Sequence, residues 1–220
     1  MIAWFTKYYF QLQIQWLIAF KPAVLFDRIN QLPWYQNTLQ QWINDQHFSN
    51  PCKVLEVGCA TGSLTAYIAS LGCTPTGVDY SNKMVKMAQS LHQELDFSEA
   101  NVLDLPFETN YFDAVIAASL LNIVSDKNTA MAELSRTCKK GGVITVLVPA
   151  ANFNDENLQQ LQASIDDTGF SIAAMEAWHK RAPKMEASDI VALFQQSQLI
   201  EINTKEYLQG MVIAVSATKL

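Results

Sequence analysis

The stretch Val54-Leu55-Glu56-Val57-Gly58-Cys59-Ala60-Thr61-Gly62-Ser63 constrains the fold more than any other in this chain. Its apolar start suits a strand buried on both faces of a parallel sheet. Its glycines allow a sharp turn in which the backbone closely approaches a ligand. Leu64-Thr65-Ala66-Tyr67-Ile68-Ala69 then reads as a helix whose free N–H groups aim at whatever occupies the turn.

The same alternation continues downstream. Thr74-Pro75-Thr76-Gly77-Val78-Asp79 reads as a second strand, and Tyr80-Ser81-Asn82-Lys83-Met84 opens a helix with Ser81 as its N-cap. An acid at the carboxyl end of that strand, here Asp79, is placed to accept hydrogen bonds from ribose hydroxyls, so the glycine turn and Asp79 together read as a nucleoside site. Residues 97–107 hold one alternating segment and residues 110–119 a strand with a small-residue end. A helix from about residue 128 is read as ending at Gly141-Gly142, before a buried strand at 143–148. A helix over 155–168, stopped by Gly169, and a helix over 187–198 with Ser188 as cap follow. In the latter, Ile190, Val191, Leu193 and Phe194 point inward. Residues 199–208 and 211–218 read as two strands joined at Gln209-Gly210, a terminal hairpin that sets an antiparallel strand into an otherwise parallel sheet. The fold class is doubly wound α/β.

Composition narrows the function. With 220 residues, 50% hydrophobic and 16% charged, the chain fills one domain. That domain divides into a helical cap at 1–50, a core at 52–150 and 186–220, and an insertion on the substrate side at 151–185. The net charge of −6 offers no electrostatic footprint for nucleic acid. Cys52, Cys59, Cys73 and Cys138 have no metal or redox spacing, and nothing resembles a cleavable leader; the expectation is four reduced thiols and a cytoplasmic location. His47, His92 and His179 form no metal motif, so no metal is expected.

The first twenty residues carry apolar and aromatic side chains at helical spacing until Pro22, and Pro33-Trp34-Tyr35 starts a second helix with Leu39, Trp42 and Ile43 on one side. Gln11, Gln13 and Gln15 interrupt the first helix too often for a bilayer span. Trp4, Phe5, Tyr8, Tyr9, Phe10, Trp16, Phe20, Phe26, Trp34 and Tyr35 all precede the first core strand. This surplus has three candidate destinations: a lid over a substrate cavity, a second copy of the chain, or weak contact with a membrane. Lys7 is the lone base of the first helix, which sets the first two destinations ahead of the third.

Two cofactor families use a glycine turn of this kind. The dinucleotide fingerprint wants glycine at positions 58, 60 and 63, where Ala60 and Ser63 depart from it. Glu56-x-Gly58-x-Ala60-x-Gly62 resembles instead the acid-x-Gly-x-Gly-x-Gly motif of class I S-adenosylmethionine (SAM) methyltransferases, with Ala60 for the middle glycine. Leu105-Pro106-Phe107 followed by Phe112-Asp113-x-Val115 resembles the same family, with Asn101 where the family has an acid and Lys140 where it has proline. Leu121-Asn122-Ile123-Val124 with Asp126-Lys127 is similar to its ubiquinone and menaquinone C-methyltransferase branch.

The resemblance implies a Rossmann-like seven-stranded sheet, SAM as cofactor and a small-molecule methyl acceptor. It also implies roles: Gly58, Cys59, Ala60 and Gly62 cradle the methionine part, Glu56 faces its ammonium, and Asp79 holds the ribose. Tyr80 and Met84 flank the adenine, Asn101 and Val102 read its edge, and Ala118 and Ser119 line the sulfonium end. Ser119, Asn122 and His179 are candidates for a general base, and none is singled out. A SAM-binding partner subunit without turnover and an NAD-dependent enzyme are the competing readings.

Overall fold

The computed structural model describes residues 2–49, 51–165 and 169–220. The side chains of Trp4, Phe5 and Lys7, and all of Thr168, lie outside what it describes.

Val54, Leu55 and Val57 are all but fully buried, as a strand covered on both faces must be. They belong to β1 (Lys53–Val57), which pairs in parallel with β2 (Thr74–Asp79) on one side and β4 (Phe112–Ala118) on the other. Outward from these lie β3 (Asp96–Glu99), paired with β2, and β5 (Cys138–Pro149), paired with β4. The hairpin strands β6 (Leu199–Tyr207) and β7 (Val212–Lys219) complete a seven-stranded sheet of order β3-β2-β1-β4-β5-β7-β6. β7 runs antiparallel to both of its neighbours. The strand order reverses between β1 and β4, and crossovers to opposite faces open a crevice at the carboxyl ends of the strands there.

The chain begins with α1 (Ile2–Phe20), α2 (Pro22–Asn30) and α3 (Pro33–Asn44). Pro22 and Pro33 each start a helix, a position where a missing N–H is harmless. α4 (Ser63–Ser70) and α5 (Asn82–Leu91) follow β1 and β2, and α6 (Lys127–Thr137) precedes β5. α7 (Asp155–Ser164), α8 (Phe170–Arg181) and α9 (Ala187–Gln196) separate β5 from the hairpin. α6 and α9 cover one face of the sheet through Met131, Leu134, Ile190 and Phe194. α3 and α4 cover the other through Leu39, Trp42, Ile43, Leu64 and Ile68.

α3 is therefore part of the core layer as well as of a cap. Trp42 is wholly buried and its Nε1 donates to Thr145 Oγ1 on β5 at 2.9 Å. Truncating such a side chain costs about 3–5 kcal/mol, so α3 is bound to the sheet. α1 instead packs on α8, with Ile14 and Leu17 against Phe170, Ala173 and Ala174. Its other face leaves Tyr9, Leu12, Trp16 and Phe20 exposed. Among the described residues, no helix is long and apolar enough to cross a membrane.

Several sequence expectations need correction. Cys52 and Cys73 are joined in a disulfide; only Cys59 and Cys138 of the four are free. Each bonded cysteine stands immediately before a strand, and the register Lys53↔Thr74 brings the two side by side. Gly141-Gly142 does not end α6, which stops at Thr137; the pair lies inside β5, where the pairing with β4 shifts register. Gly141 has φ +74, and a Cβ on Gly142 would stand 2.7 Å from the Asp113 carbonyl oxygen, so both serve the irregular strand. Ser188 lies within α9, whose N-cap position is held by Glu186. Ser81 does stand at the N-cap of α5, but its side chain makes no capping bond. α7 ends at Ser164, and α8, for which the sequence reading offered no element, follows it.

Candidate functional site

A cavity of about 530 Å³ opens at the carboxyl ends of β1, β2 and β4. Of the residues named from the sequence, Glu56, Gly58, Cys59, Ala60, Asp79, Tyr80, Met84, Asn101, Val102, Ala118 and Ser119 line it. Gly62 does not. A Cβ on Gly62 would come within 2.6 Å of the Phe97 ring, so this glycine makes room for packing beneath the turn. Gly58, with φ +82, and Ala60, with φ +47, give the turn its left-handed bends.

Two carboxylates define the electrostatics. Glu56 is buried and takes a hydrogen bond from the Thr65 hydroxyl. Burial pushes its pKa up to about 8, with the nearby Asp79 charge adding to the rise and Thr65 opposing it. Asp79 is half-buried; its Oδ2 accepts from the Ala60 N–H at 2.9 Å and its Oδ1 from the Ser81 N–H at 2.8 Å. One carboxylate thus ties the glycine turn to the start of α5 and keeps lone pairs for a ligand. Burial raises the Cys59 thiol as well, so it stays protonated beside them. Among the described residues, no Lys, Arg or His lines the cavity. A site that holds two acids and no base suits a cationic ligand with ribose hydroxyls, and the residues present fit SAM on that ground.

The residues expected to meet an adenine differ in their surroundings. Asn101 is exposed and its Oδ1 accepts from the Leu103 N–H at 3.0 Å, closing an Asx turn. Its second lone pair is what remains for a ligand. Tyr80 is 76% exposed at the rim, while Met84 below it is buried.

The N-terminal segment supplies a wall that sequence reasoning located only broadly. Phe26 and Asn30 of α2 and Tyr35 and Leu39 of α3 line the cavity, and no described side chain of α1 does. Asn30 Nδ2 donates to Thr61 Oγ1 at 3.0 Å, hooking α2 onto the glycine turn. Tyr35 stands edge-on to both the Trp34 and the Trp178 rings, at centroid distances of 5.6 Å and 5.5 Å. The aromatic density of this segment was the signal; its periodicity did not say which rings face inward.

The three general-base candidates part company. Ser119 lines the cavity, with its Oγ buried and making no hydrogen bond. Asn122 is buried, and its Nδ2 donates to the Pro183 carbonyl at 3.0 Å, which ties it to the chain leading into α9. His179 is buried on α8, beside Phe153 and 3.0 Å from Asp155 Oδ1, away from the cavity lining. It is neither an exposed loop residue nor placed to act in the cavity.

Comparison with known proteins agrees with this geometry. Residues 55–146 match the family model described as a methyltransferase domain. The chain is 33% identical over 103 residues to phosphatidylethanolamine N-methyltransferase of Cereibacter sphaeroides, covering 43% of this chain and 49% of that protein. It is 30% identical over 135 residues to demethylmenaquinone methyltransferase of Tropheryma whipplei, covering 56% of each. The chain thus spans about half the length of these curated relatives. Among solved structures, a SAM-dependent methyltransferase of Thermotoga maritima, titled a possible histamine N-methyltransferase, superposes with a TM-score of 0.64 at 16% identity, covering 89% of this chain and 95% of that one. Phosphoethanolamine N-methyltransferase 2 of Haemonchus contortus, in complex with SAM, gives 0.61 at 13% identity, covering 82% and 52%. At such identities the likeness is one of fold.

Proposed function

We propose, from the premise that this chain carries a class I SAM-dependent methyltransferase domain, that it transfers a methyl group to a small apolar or amphipathic acceptor by in-line displacement. The observation that carries this is the placing of Glu56 and Asp79 at or near the ends of adjacent strands, either side of the glycine turn, in a cavity that no described Lys, Arg or His lines. When bound, SAM supplies a sulfonium methyl group that needs no further activation.

The chain's own residues then have three tasks. Glu56 receives the ammonium and Asp79 the ribose hydroxyls, while Gly58 and Ala60 bring the backbone close to the methionine part. Tyr35, Leu39 and Phe26 exclude water from the transfer end. The walls hold an acceptor against Ala118 and Ser119, and such positioning is worth about 7–11 kcal/mol of barrier. The names of the curated relatives support an acceptor with a large apolar part, a phospholipid in one case and a quinone in another.

Calorimetric titration with SAM, S-adenosylhomocysteine and NAD tests the reading. The first two are expected to bind and NAD to fail. SAM consumption in the presence of a metabolite extract is expected to follow. Tight binding of NAD in place of SAM would overturn the assignment, and SAM binding without consumption across extracts would favour a partner subunit.

A further inference from the structure

We infer that the transfer end of the cavity holds a two-point polar subsite, formed by the Ser119 hydroxyl and the Tyr35 phenol, and that it selects an uncharged acceptor with an apolar body and one hydroxyl. The inference rests on the methyltransferase reading and names the acceptor class for that same cavity.

Ser119 Oγ is buried and has no hydrogen-bond partner, although it stands at a cavity wall. Buried polar groups are almost always satisfied, and an orphan in a ligand cavity marks where a ligand's polar atom goes. The backbone holds it there. Ser119 adopts φ +51, a left-handed value that a side chain disfavours, and its N–H is fixed on the Leu147 carbonyl at 2.7 Å. The strain sets the direction of the hydroxyl at the end of β4.

Tyr35 supplies the second point. Its phenol shares the cavity wall with Ser119, close enough for the Ser119 hydroxyl and Glu56 both to act on it, and Glu56 is already engaged by Thr65. Burial, with the Glu56 charge beside it, pushes the phenol up to about 12, so it stays a neutral donor. The ring is edge-on to Trp34 and to Trp178, which stack on each other at 5.8 Å, and Trp34 Nε1 donates to Ser171 Oγ at 3.0 Å. This clamp joins α3 to α8 and fixes the phenol before any acceptor arrives.

The rest of the lining decides the charge of the acceptor. Phe26, Leu39, Leu120 and Ile123 offer apolar surface, and the charged residues of the lining are both acids. A carboxylate or phosphate here would lose its water and gain no cationic side chain of the described lining in exchange. A neutral hydroxyl finds one donor and one acceptor in the Tyr35 and Ser119 pair.

The test uses the full chain saturated with S-adenosylhomocysteine, titrated with 1-naphthol and with the anionic 1-naphthoate. 1-Naphthol is expected to bind at least tenfold more tightly than 1-naphthoate. Tyr35→Phe and Ser119→Ala are each expected to weaken 1-naphthol by about five- to tenfold, the loss of one hydrogen bond. Melting curves confirm that both variants fold. Equal binding of the two probes, no binding of 1-naphthol, or variants that leave 1-naphthol binding unchanged would overturn the subsite while leaving the methyltransferase reading in place. Failure of S-adenosylhomocysteine to bind the wild-type chain would overturn that reading, and the subsite with it.

Discussion

Ala60→Gly is expected to make the protein more stable. On sequence alone the exchange reads as a small loss, because glycine adds freedom to the unfolded chain, at about 0.5–1 kcal/mol. The structure reverses the sign. Ala60 sits at φ +47, where the Cβ of an L-residue crowds the following carbonyl at a cost of roughly 1–2 kcal/mol. Relief of that strain outweighs the added chain entropy, leaving a net gain on the order of 1 kcal/mol. For a chain of this size such a gain raises Tm by about 2–4 °C. The Ala60 N–H bond to Asp79 uses only backbone of residue 60, so the exchange keeps it. Removing the methyl group also opens the closest approach of the turn to the cavity, so SAM affinity should hold or rise. Thermal melts and calorimetry on the two proteins read both effects. A lower Tm would refute the strain argument, and a large loss of SAM affinity would show that the Ala60 methyl packs productively on the ligand.

Asp79→Ala removes the acceptor of two backbone N–H groups as well as the proposed ribose contact; we expect a stability loss of about 2 kcal/mol by melting and at least tenfold weaker SAM binding by calorimetry. Glu56 has a folded pKa raised to about 8 from an ordinary 4.5, so the native state binds the extra proton between those values. The stability it confers is complete below about pH 4.5 and is lost as pH rises through about 8. Denaturant melts from pH 5 to 8 should therefore show a decline that Glu56→Gln flattens, and SAM titration near pH 7 in buffers of different ionisation heat should show proton release. Reducing the Cys52–Cys73 bond opens a loop of sequence separation 21, worth about 3 kcal/mol by chain entropy. Tm should fall by about 6–12 °C with a phosphine reductant, and should be insensitive to it in the Cys52→Ala, Cys73→Ala double variant.

The side of the cavity proposed to take the cofactor was legible because it is built from strand ends. Val54 to Val57 announce a buried strand, Glu56 and Gly58 close it, and Asp79 ends the next, so the chemistry lies where the local pattern changes. The acceptor side was not legible in the same way. Tyr35 is held edge-on against the Trp34 and Trp178 rings, and Trp178 is 143 residues away in sequence. Gly141-Gly142 misled because left-handed glycine serves a helix end and an irregular strand equally well. The cysteine pair escaped notice for a related reason. Spacing along the chain carries no motif there, whereas strand register does, and the register follows only once β1 and β2 are taken as neighbours. α1 packs on α8, so deleting residues 1–30 would bare Phe170 and its neighbours as well as unhook Asn30 from Thr61.

The Cys52–Cys73 bond also has a mechanical meaning. It grips β1 and β2 at their amino ends, while Glu56 and Asp79, whose charges repel once Glu56 loses its proton near pH 8, stand at or near their carboxyl ends. At about 3.3 Å per residue, strands this short put the grip only some 15–20 Å from the charges. The pair behaves like a two-tined fork held at the handle: the repulsion between the tips tends to splay them, and the covalent grip and the strand ladder limit how far they spread. A cation set between the tips removes the splaying force, so the ligand and the disulfide oppose the same deformation from its two ends.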